Sequence, residues 1–272
     1  MWAVSGVLAR VLFNRSVDPA LVVQVRLLVG GGLLFAWSAL RRQARFPRAE
    51  LPLLAAYAAG LVGVQLSYFK AIQHAGVAVA IFLQYTAPLL VTAWESIAER
   101  RVPSRAVLVA VALASCGSAL LVLGGRDGLR LSTAGLAWGL AAAIAMAAET
   151  VLGSIAKRRG IASAPLLAYG LLLGSLALVP VRLPWEALAA VPAGDWPYYL
   201  YIAVFATAVP FLLYIDALDR LRGSVALVLA MLEPVLAGAL AWAFLGEALA
   251  PAQVAGGALI LAAVTLSGLR AT

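Results

Sequence analysis

Two stretches of the chain, Tyr68–Pro88 (YFKAIQHAGVAVAIFLQYTAP) and Tyr214–Pro234 (YIDALDRLRGSVALVLAMLEP), align with each other without a gap. Six of the 21 aligned positions are identical, and the identities include the first tyrosine and the last proline. With an insertion of two residues, the match extends to a later Glu and Pro in each half: Glu99, Pro103, Glu247 and Pro251. Self-similarity of this kind indicates an internal repeat, so the sequence predicts two related halves, residues 1–123 and 133–269.

The composition places both halves in a membrane. Of the 272 residues, 64% are hydrophobic and 12% are charged, against about 45–50% and 25% in soluble domains. A spanning helix takes roughly 20 apolar residues, so ten helices would leave only short connections. The net charge of +8 is typical of basic cytoplasmic loops, and no nucleic-acid partner is expected. With one cysteine and one histidine, we expect no disulfide framework, no metal site and no cofactor.

Polar breaks between the apolar runs predict an all-α polytopic membrane protein with ten transmembrane helices. The predicted spans cover residues 2–14, 19–40, 51–73, 77–97, 105–123, 133–156, 164–181, 196–218, 223–245 and 252–269. A short interfacial helix is expected over Trp185–Val191. Because five helices per half is an odd number, the second half must enter the membrane with the opposite orientation, which is the inverted-repeat architecture of secondary transporters.

Basic residues in the connections set the predicted orientation. Thirteen Lys and Arg residues fall on the side of the N-terminus and four on the opposite side. Since cytoplasmic loops carry the excess of basic residues, both termini are expected in the cytoplasm. The first span, residues 2–14, is shorter than a bilayer core requires, and we expect about ten further native residues before it.

The repeat places one proline in the middle of the fourth span and another in the middle of the ninth. A proline inside a helix cannot donate a hydrogen bond to the carbonyl four residues earlier. Pro88 and Pro234 therefore leave the carbonyls of Gln84 and Ala230 without helical partners. Helix breaks at matching positions of two halves point to a substrate site. The alternative left open is that both prolines only bend the helices for packing.

The candidate substrate-binding residues lie at or near these breaks and on neighbouring spans. They are Trp2, Gln65, Tyr68, Gln84, Tyr85, Pro88, Glu149, Thr207, Tyr214, Met231, Glu233 and Pro234. Ionisable side chains inside a span are costly and usually face a cavity or a partner. We therefore expect Glu149 or Glu233 to carry a proton or to neutralise a cationic group of the substrate, the alternative being a protonated or paired structural carboxyl. For Arg26 we expect a salt bridge to a carboxylate rather than contact with substrate.

Several of these residues carry a family likeness. The pattern that resembles the EamA-type ten-helix carriers of the drug/metabolite transporter superfamily is Tyr214-x-x-Ala217-Leu218, Ala226, Glu233-Pro234, Gly246-Glu247, Gln253 and Gly256. The first half is similar through Tyr68-x-x-Ala71, Pro88 and Glu99, whereas Trp2-Ala3-Val4-Ser5 only loosely matches the Trp-Gly start of the family. The resemblance implies an inner-membrane carrier, often an exporter of amino acids or other small metabolites. It also implies a central cavity between the first, third, fourth, sixth, eighth and ninth helices.

The residues and the resemblance together predict a secondary transporter and not an enzyme. We expect it to export small metabolites, amino acids first among them, by alternating access. Its expected partners are a small-molecule substrate and the lipid bilayer, with proton coupling left open, and it is expected to act as a monomer or homodimer.

Other classes of membrane protein stay open as alternatives. They are a channel or structural membrane subunit, and a carrier of drugs, nucleotide sugars or organophosphates. Anionic substrates are less favoured because the embedded cations are few: Arg10, Arg26 and Lys70. An intramembrane enzyme would need a nucleophile–base pair or a metal cluster, which the His and Cys content does not supply.

Overall fold

The computed structural model describes residues 8, 11–124, 132–236, 239 and 250–268, and over these residues the chain forms helices and turns without a strand. Six helical segments are long and apolar enough to span a membrane: Pro19–Leu40, Arg48–Ala75, Val77–Glu99, Arg105–Val122, Thr133–Arg158 and Ala193–Ala217. Three shorter apolar helices are Ser163–Leu176, Gly223–Leu236 and Pro251–Ser267. These segments confirm an all-α polytopic membrane protein. They correspond to the second to tenth predicted spans, whereas the first lies mostly outside the described residues.

The α-helices are numbered in chain order within the described residues. They are α1 (Pro19–Leu40), α2 (Leu51–Ala75), α3 (Val77–Gln84), α4 (Ala87–Glu99), α5 (Arg105–Leu123), α6 (Thr133–Arg158), α7 (Ser163–Leu176), α8 (Pro184–Ala189), α9 (Trp196–Ala203), α10 (Val209–Ala217), α11 (Gly223–Ala230) and α12 (Pro251–Gly268). A π-helical segment, Val204–Ala208, joins α9 to α10. The predicted fourth and eighth spans are thus interrupted helices, and the expected interfacial helix is α8.

Local capping chemistry explains where several spans begin. The side chains of Asp18, Ser104 and Ser132 accept hydrogen bonds from the first-turn amides of α1, α5 and α6, respectively. Such N-caps satisfy amides that have no partner inside the helix. Between α2 and α3 the chain reverses at Gly76, whose φ of 83° lies in a region that glycine enters without steric cost.

Equivalent helices of the two halves pack against each other and run antiparallel. The first such pair is α1 with α7, the second helix of each half. Ser175 Oγ donates to the carbonyl of Gln24 at 3.4 Å, while further along α1 the backbone of Gly31 packs on Leu171 and Leu172. Residues later in α1 therefore contact residues earlier in α7, so the two helices run antiparallel.

The second pair is α5 with α12, the fifth helix of each half. A Cβ atom on Gly117 would lie 2.6 Å from the backbone oxygen of Gly256, so the two backbones are in direct contact, as small residues allow between membrane helices. Towards the end of α5, Gln253 Nε2 donates to the carbonyl of Leu121 at 3.4 Å. This pair also runs antiparallel, and both pairs have the orientation that an inverted repeat requires.

Ion pairs follow the predicted alternation of the spans across the membrane. Each ion pair between described residues joins segments that the sequence places at the same face. Those at the face of the predicted N-terminus are Arg159–Glu50, Lys157–Asp219, Arg158–Glu99, Arg222–Glu95 and Arg222–Glu99, and the one at the opposite face is Arg15–Asp195. Which face is cytoplasmic stays a prediction.

Candidate functional site

The two predicted helix breaks are present and face each other. Helix α3 ends at Gln84 and α4 begins at Ala87, so the helix is interrupted at residues 85 and 86, and Pro88 stands in the first turn of α4. In the second half, α11 ends at Ala230, and helix resumes at residue 232 after a turn at Met231. Proline prevents the continuous hydrogen-bond ladder at both places.

One tyrosine connects the two breaks. The Tyr85 hydroxyl lies 3.1 Å from the carbonyl oxygen of Ala230 and 2.6 Å from Oε2 of Glu233. The carbonyl of Ala230 is one of the two acceptors that the sequence predicts to lose a helical partner. The hydroxyl has one proton and can donate to one of these acceptors at a time, so a side chain from the break in the first half bridges the freed carbonyl and the carboxyl of the second half.

A small cavity lies beside these breaks. Its volume is about 50 Å³, which at roughly 10–15 Å³ per water is room for a few water molecules. The lining residues come from α1, α2, α3, α6, α10 and the two breaks: Arg26, Val64, Gln65, Tyr68, Ile81, Gln84, Tyr85, Met146, Glu149, Phe211, Tyr214 and Glu233. Both halves of the repeat thus contribute to one site.

Several polar groups on the wall lack the hydrogen bonds that buried groups normally form. Among the residues that the structure describes, Gln65 Nε2 and Glu149 Oε1 have no hydrogen-bond partner, although each residue is at most 3% exposed. The Tyr57 hydroxyl lies beside the Glu149 carboxyl without meeting the geometry of a hydrogen bond. By contrast, Gln84 Nε2 contacts Met146 Sδ at 3.3 Å. The unpartnered amide and carboxyl oxygen can therefore bind a polar ligand in the cavity.

Arg26 is held in the cavity wall by the π-helical segment. Its Nε donates to Thr207 Oγ1 at 2.8 Å and its Nη2 donates to the carbonyl of Ala206 at 3.0 Å. The guanidinium also lies over the ring of Phe69, with 5.2 Å between its central carbon and the ring centroid. A π-helical turn departs from the regular i to i−4 bonding, and here Ala206 offers its carbonyl to a side chain.

The expected salt bridge of Arg26 is not found. Within the part of the chain that the structure describes, no carboxylate lies within 4.0 Å of its guanidinium. Its hydrogen-bond partners are neutral instead. The positive charge is therefore retained on the wall of a cavity that also carries two carboxyl groups.

The structure brings seven of the twelve predicted site residues onto this wall: Gln65, Tyr68, Gln84, Tyr85, Glu149, Tyr214 and Glu233. Pro88 and Pro234 shape the breaks without lining the cavity, and Met231 is fully buried in the packing. Thr207 bonds Arg26 and the carbonyl of Ile202. Trp2 lies outside the described residues. That any of these side chains contacts substrate stays a prediction.

Five residues line the cavity although they were not predicted as substrate-binding residues: Arg26, Val64, Ile81, Met146 and Phe211. The sequence does distinguish Arg26 as a candidate for the cavity wall, because it is the one charged residue of α1. Met146 and Phe211 are apolar residues of apolar helices, and nothing in their local sequence distinguishes them from residues of the core.

Comparisons with known proteins identify the family of the chain. The EamA-like transporter family matches residues 1–123 and 133–269. The protein named "Uncharacterized inner membrane transporter YicL" of Salmonella typhimurium is 29% identical over 277 residues, covering 99% of this chain and 92% of its own length. The threonine/homoserine exporter RhtA of Escherichia coli K12 is 32% identical over 266 residues, covering 94% of this chain and 84% of its own length.

A solved crystal structure has the same fold. It superimposes with a TM-score of 0.74 at 20% sequence identity and covers 99% of this chain and 96% of its own. This structural similarity shows the fold alone. The family is shown by the two matches of the family model, one to each half of the chain, and by the relatives. The chain is a multi-pass inner membrane protein that belongs to the EamA-like transporter family of the drug/metabolite transporter superfamily.

Proposed function

We propose that this protein is a secondary carrier that exports amino acids or similar small metabolites by alternating access. The observation that carries the proposal is the cavity between the two helix breaks, which both halves of the repeat line with buried polar groups. The name of a relative, the threonine/homoserine exporter RhtA, supports amino acids as the substrate class. We assign the chain no catalytic step.

The contacts at one face suit a reversible gate. Glu99 at the end of α4 pairs with Arg158 of α6 and with Arg222 at the start of α11. Glu95 accepts hydrogen bonds from the amide and hydroxyl of Ser224. Exposed ion pairs are individually weak, about 0.2–1 kcal/mol, so this cluster can break and re-form in each transport cycle. We propose that this face is cytoplasmic and that both termini lie there.

Glu149 and Glu233 are the proposed sites of coupling to protons. Both are on the cavity wall, and a carboxyl group at membrane depth is costly unless it is neutralised or paired. Protonation of either group would neutralise it, and a cationic substrate group would do the same. Competition between a proton and a substrate for one carboxyl is a physical basis for exchange.

Uptake in proteoliposomes tests the proposal. We expect labelled L-threonine or L-homoserine to enter vesicles at a rate that saturates with concentration, as carriers do and open pores do not. An imposed pH gradient should accelerate uptake, and Glu149→Gln or Glu233→Gln should abolish that acceleration. Glu186→Gln provides the control, because Glu186 lies in α8 on the surface and its amide analogue can still accept from Leu183 N.

Two results would contradict the proposal in different ways. Uptake that stays linear with concentration would indicate a channel. A response to the pH gradient that is unchanged in both glutamine variants would remove these carboxyl groups as proton sites.

A further inference from the structure

The cavity carries opposite charges on its wall. Arg26 stands on α1, and Glu233 follows the break after α11. The Tyr68 side chain lines the same cavity and lies within electrostatic range of both groups. A ligand filling the cavity would therefore meet a positive group and a negative group at once.

Arg26 has N–H groups that donate to no acceptor among the described residues. A guanidinium has five N–H groups in a fixed fork, and among the described residues only Thr207 and Ala206 accept from it, one bond each. Three N–H groups remain on a residue that is 2% exposed. The two neutral acceptors fix the side chain in place without cancelling its charge, and a fixed guanidinium is suited to bidentate binding of a carboxylate.

Glu233 is oriented in a similar way. The Tyr85 hydroxyl holds Oε2 at 2.6 Å, and no described cation lies within 4.0 Å of the carboxyl. A carboxylate accepts hydrogen bonds at both of its oxygens. Tyr85 therefore orients Glu233 while leaving its charge available to an ammonium group.

We infer that Arg26 and Glu233 form a binding site for a zwitterion, in which Arg26 binds the α-carboxylate and Glu233 binds the α-ammonium of an amino acid. The inference rests on the proposed function and deepens it, because it separates amino acids from amines and from organic acids. Each of those ligands would leave one buried charge of the site without a partner, and an unpaired buried charge is costly. Specificity then requires both charged groups of the ligand.

Analogues that lack one charge test the inference on the wild-type protein. The ligands are L-threonine, L-homoserine, L-serine and L-alanine, each compared with its methyl ester, which has only the ammonium, and its N-acetyl form, which has only the carboxylate. We measure binding in detergent as the ligand-induced shift of Tm, and transport as competition with labelled L-threonine in proteoliposomes. A hydrogen bond to a charged group corresponds to about 10–100-fold in affinity, so each modified form should bind at least about 10-fold more weakly than the parent amino acid.

Variants assign each charge to its residue. In Arg26→Gln the preference for the free acid over the methyl ester should disappear, while the preference over the N-acetyl form persists. Glu233→Gln should show the converse pattern. Arg26→Lys keeps the positive charge but lacks the planar guanidinium, so it should retain part of the preference for the free acid over the methyl ester. This variant replaces Arg26→Gln in the test if the glutamine variant does not fold. Arg45→Gln, an exposed arginine of the connection before α2, should behave as the wild type.

The outcomes distinguish this inference from the proposed function. Amino acids that bind without being transported would contradict the carrier and leave the zwitterion site intact. Equal affinity of the wild type for an amino acid and its methyl ester, or no binding by any of the four amino acids, would overturn the site. A preference that is unchanged in Arg26→Gln would show that another group binds the carboxylate.

Discussion

Replacing Tyr85 with phenylalanine removes the hydroxyl that joins the two helix breaks. That hydroxyl lies 2.6 Å from Oε2 of Glu233 and 3.1 Å from the Ala230 carbonyl. A hydroxyl has one proton to donate, so the two bonds cannot be added as independent donations. The expected loss is that of one bond to a charged group, about 1.5–3 kcal/mol, rather than the sum of both.

Thermal unfolding in detergent gives the first readout of Tyr85→Phe. With about 2–4 °C per kcal/mol for a chain of this size, the loss corresponds to a fall in Tm of roughly 3–12 °C. The control is Tyr169→Phe, because the Tyr169 hydroxyl donates to the carbonyl of Ala44 at 2.8 Å and Tyr169 does not line the cavity. This neutral bond should cost about 0.5–1.5 kcal/mol and leave transport unchanged.

Coupling between Tyr85 and Glu233 gives the second readout. In a double-mutant cycle with Glu233→Met, the two substitutions should be non-additive by about 0.5–3 kcal/mol, as expected for residues in direct contact. The transport rate should fall in Tyr85→Phe but not in Tyr169→Phe. Additive effects together with an unchanged transport rate would refute the role of this hydroxyl as the link between the two breaks.

Three further perturbations test the helix breaks, the contact between the halves and the gate. Pro88→Ala and Pro234→Ala should each impair transport without preventing membrane insertion, because alanine restores the hydrogen-bond ladder of the helix. Full transport activity of the double variant would contradict a role of the helix breaks in transport. Gly117→Val should lower the unfolding free energy by about 1–3 kcal/mol, because the new side chain overpacks the contact between α5 and α12. The control is Gly32→Ala, which should not destabilise the protein because a Cβ at that position has nothing within 4 Å. Equal effects of the two substitutions on Tm would contradict the close helix contact. Glu99→Gln removes the carboxylate of the gate, so an impermeant reagent should label the membrane face on which Glu99 lies more rapidly. The unfolding free energy should change by about 1 kcal/mol or less. An unchanged labelling rate would argue against the gate.

The features predicted correctly from sequence depend on local rules. A proline in the interior of a helix interrupts its hydrogen-bond ladder, so the breaks before Pro88 and near Pro234 could be located from sequence alone. The repeat then paired these breaks across the two halves. Gln84 is the last residue of α3 and Tyr85 lies in the first break, and both are found on the cavity wall.

Some of the predicted site residues lie off the cavity wall, and for Thr207 the reason is that the helix departs from its regular period. Thr207 and Tyr214 are seven residues apart, which places them on one face of a regular α-helix, but the π-helical segment Val204–Ala208 alters that relation. As a result Tyr214 lines the cavity and Thr207 bonds Arg26 instead. The same departure provides Arg26 with a backbone carbonyl as partner in place of the expected carboxylate. Met231 matches Tyr85 in the repeat and, like Tyr85, lies buried in the turn, but only Tyr85 lines the cavity.

Accessibility of the cavity from each side of the membrane tests alternating access most directly. The chain has one cysteine, Cys116, so Ile81→Cys in a Cys116→Ser background places a single thiol on the cavity wall. In oriented vesicles, an impermeant thiol reagent should label this cysteine from either side, and saturating substrate should shift labelling towards one side. Labelling from both sides at rates that substrate does not change would contradict alternating access, and so would labelling from neither side.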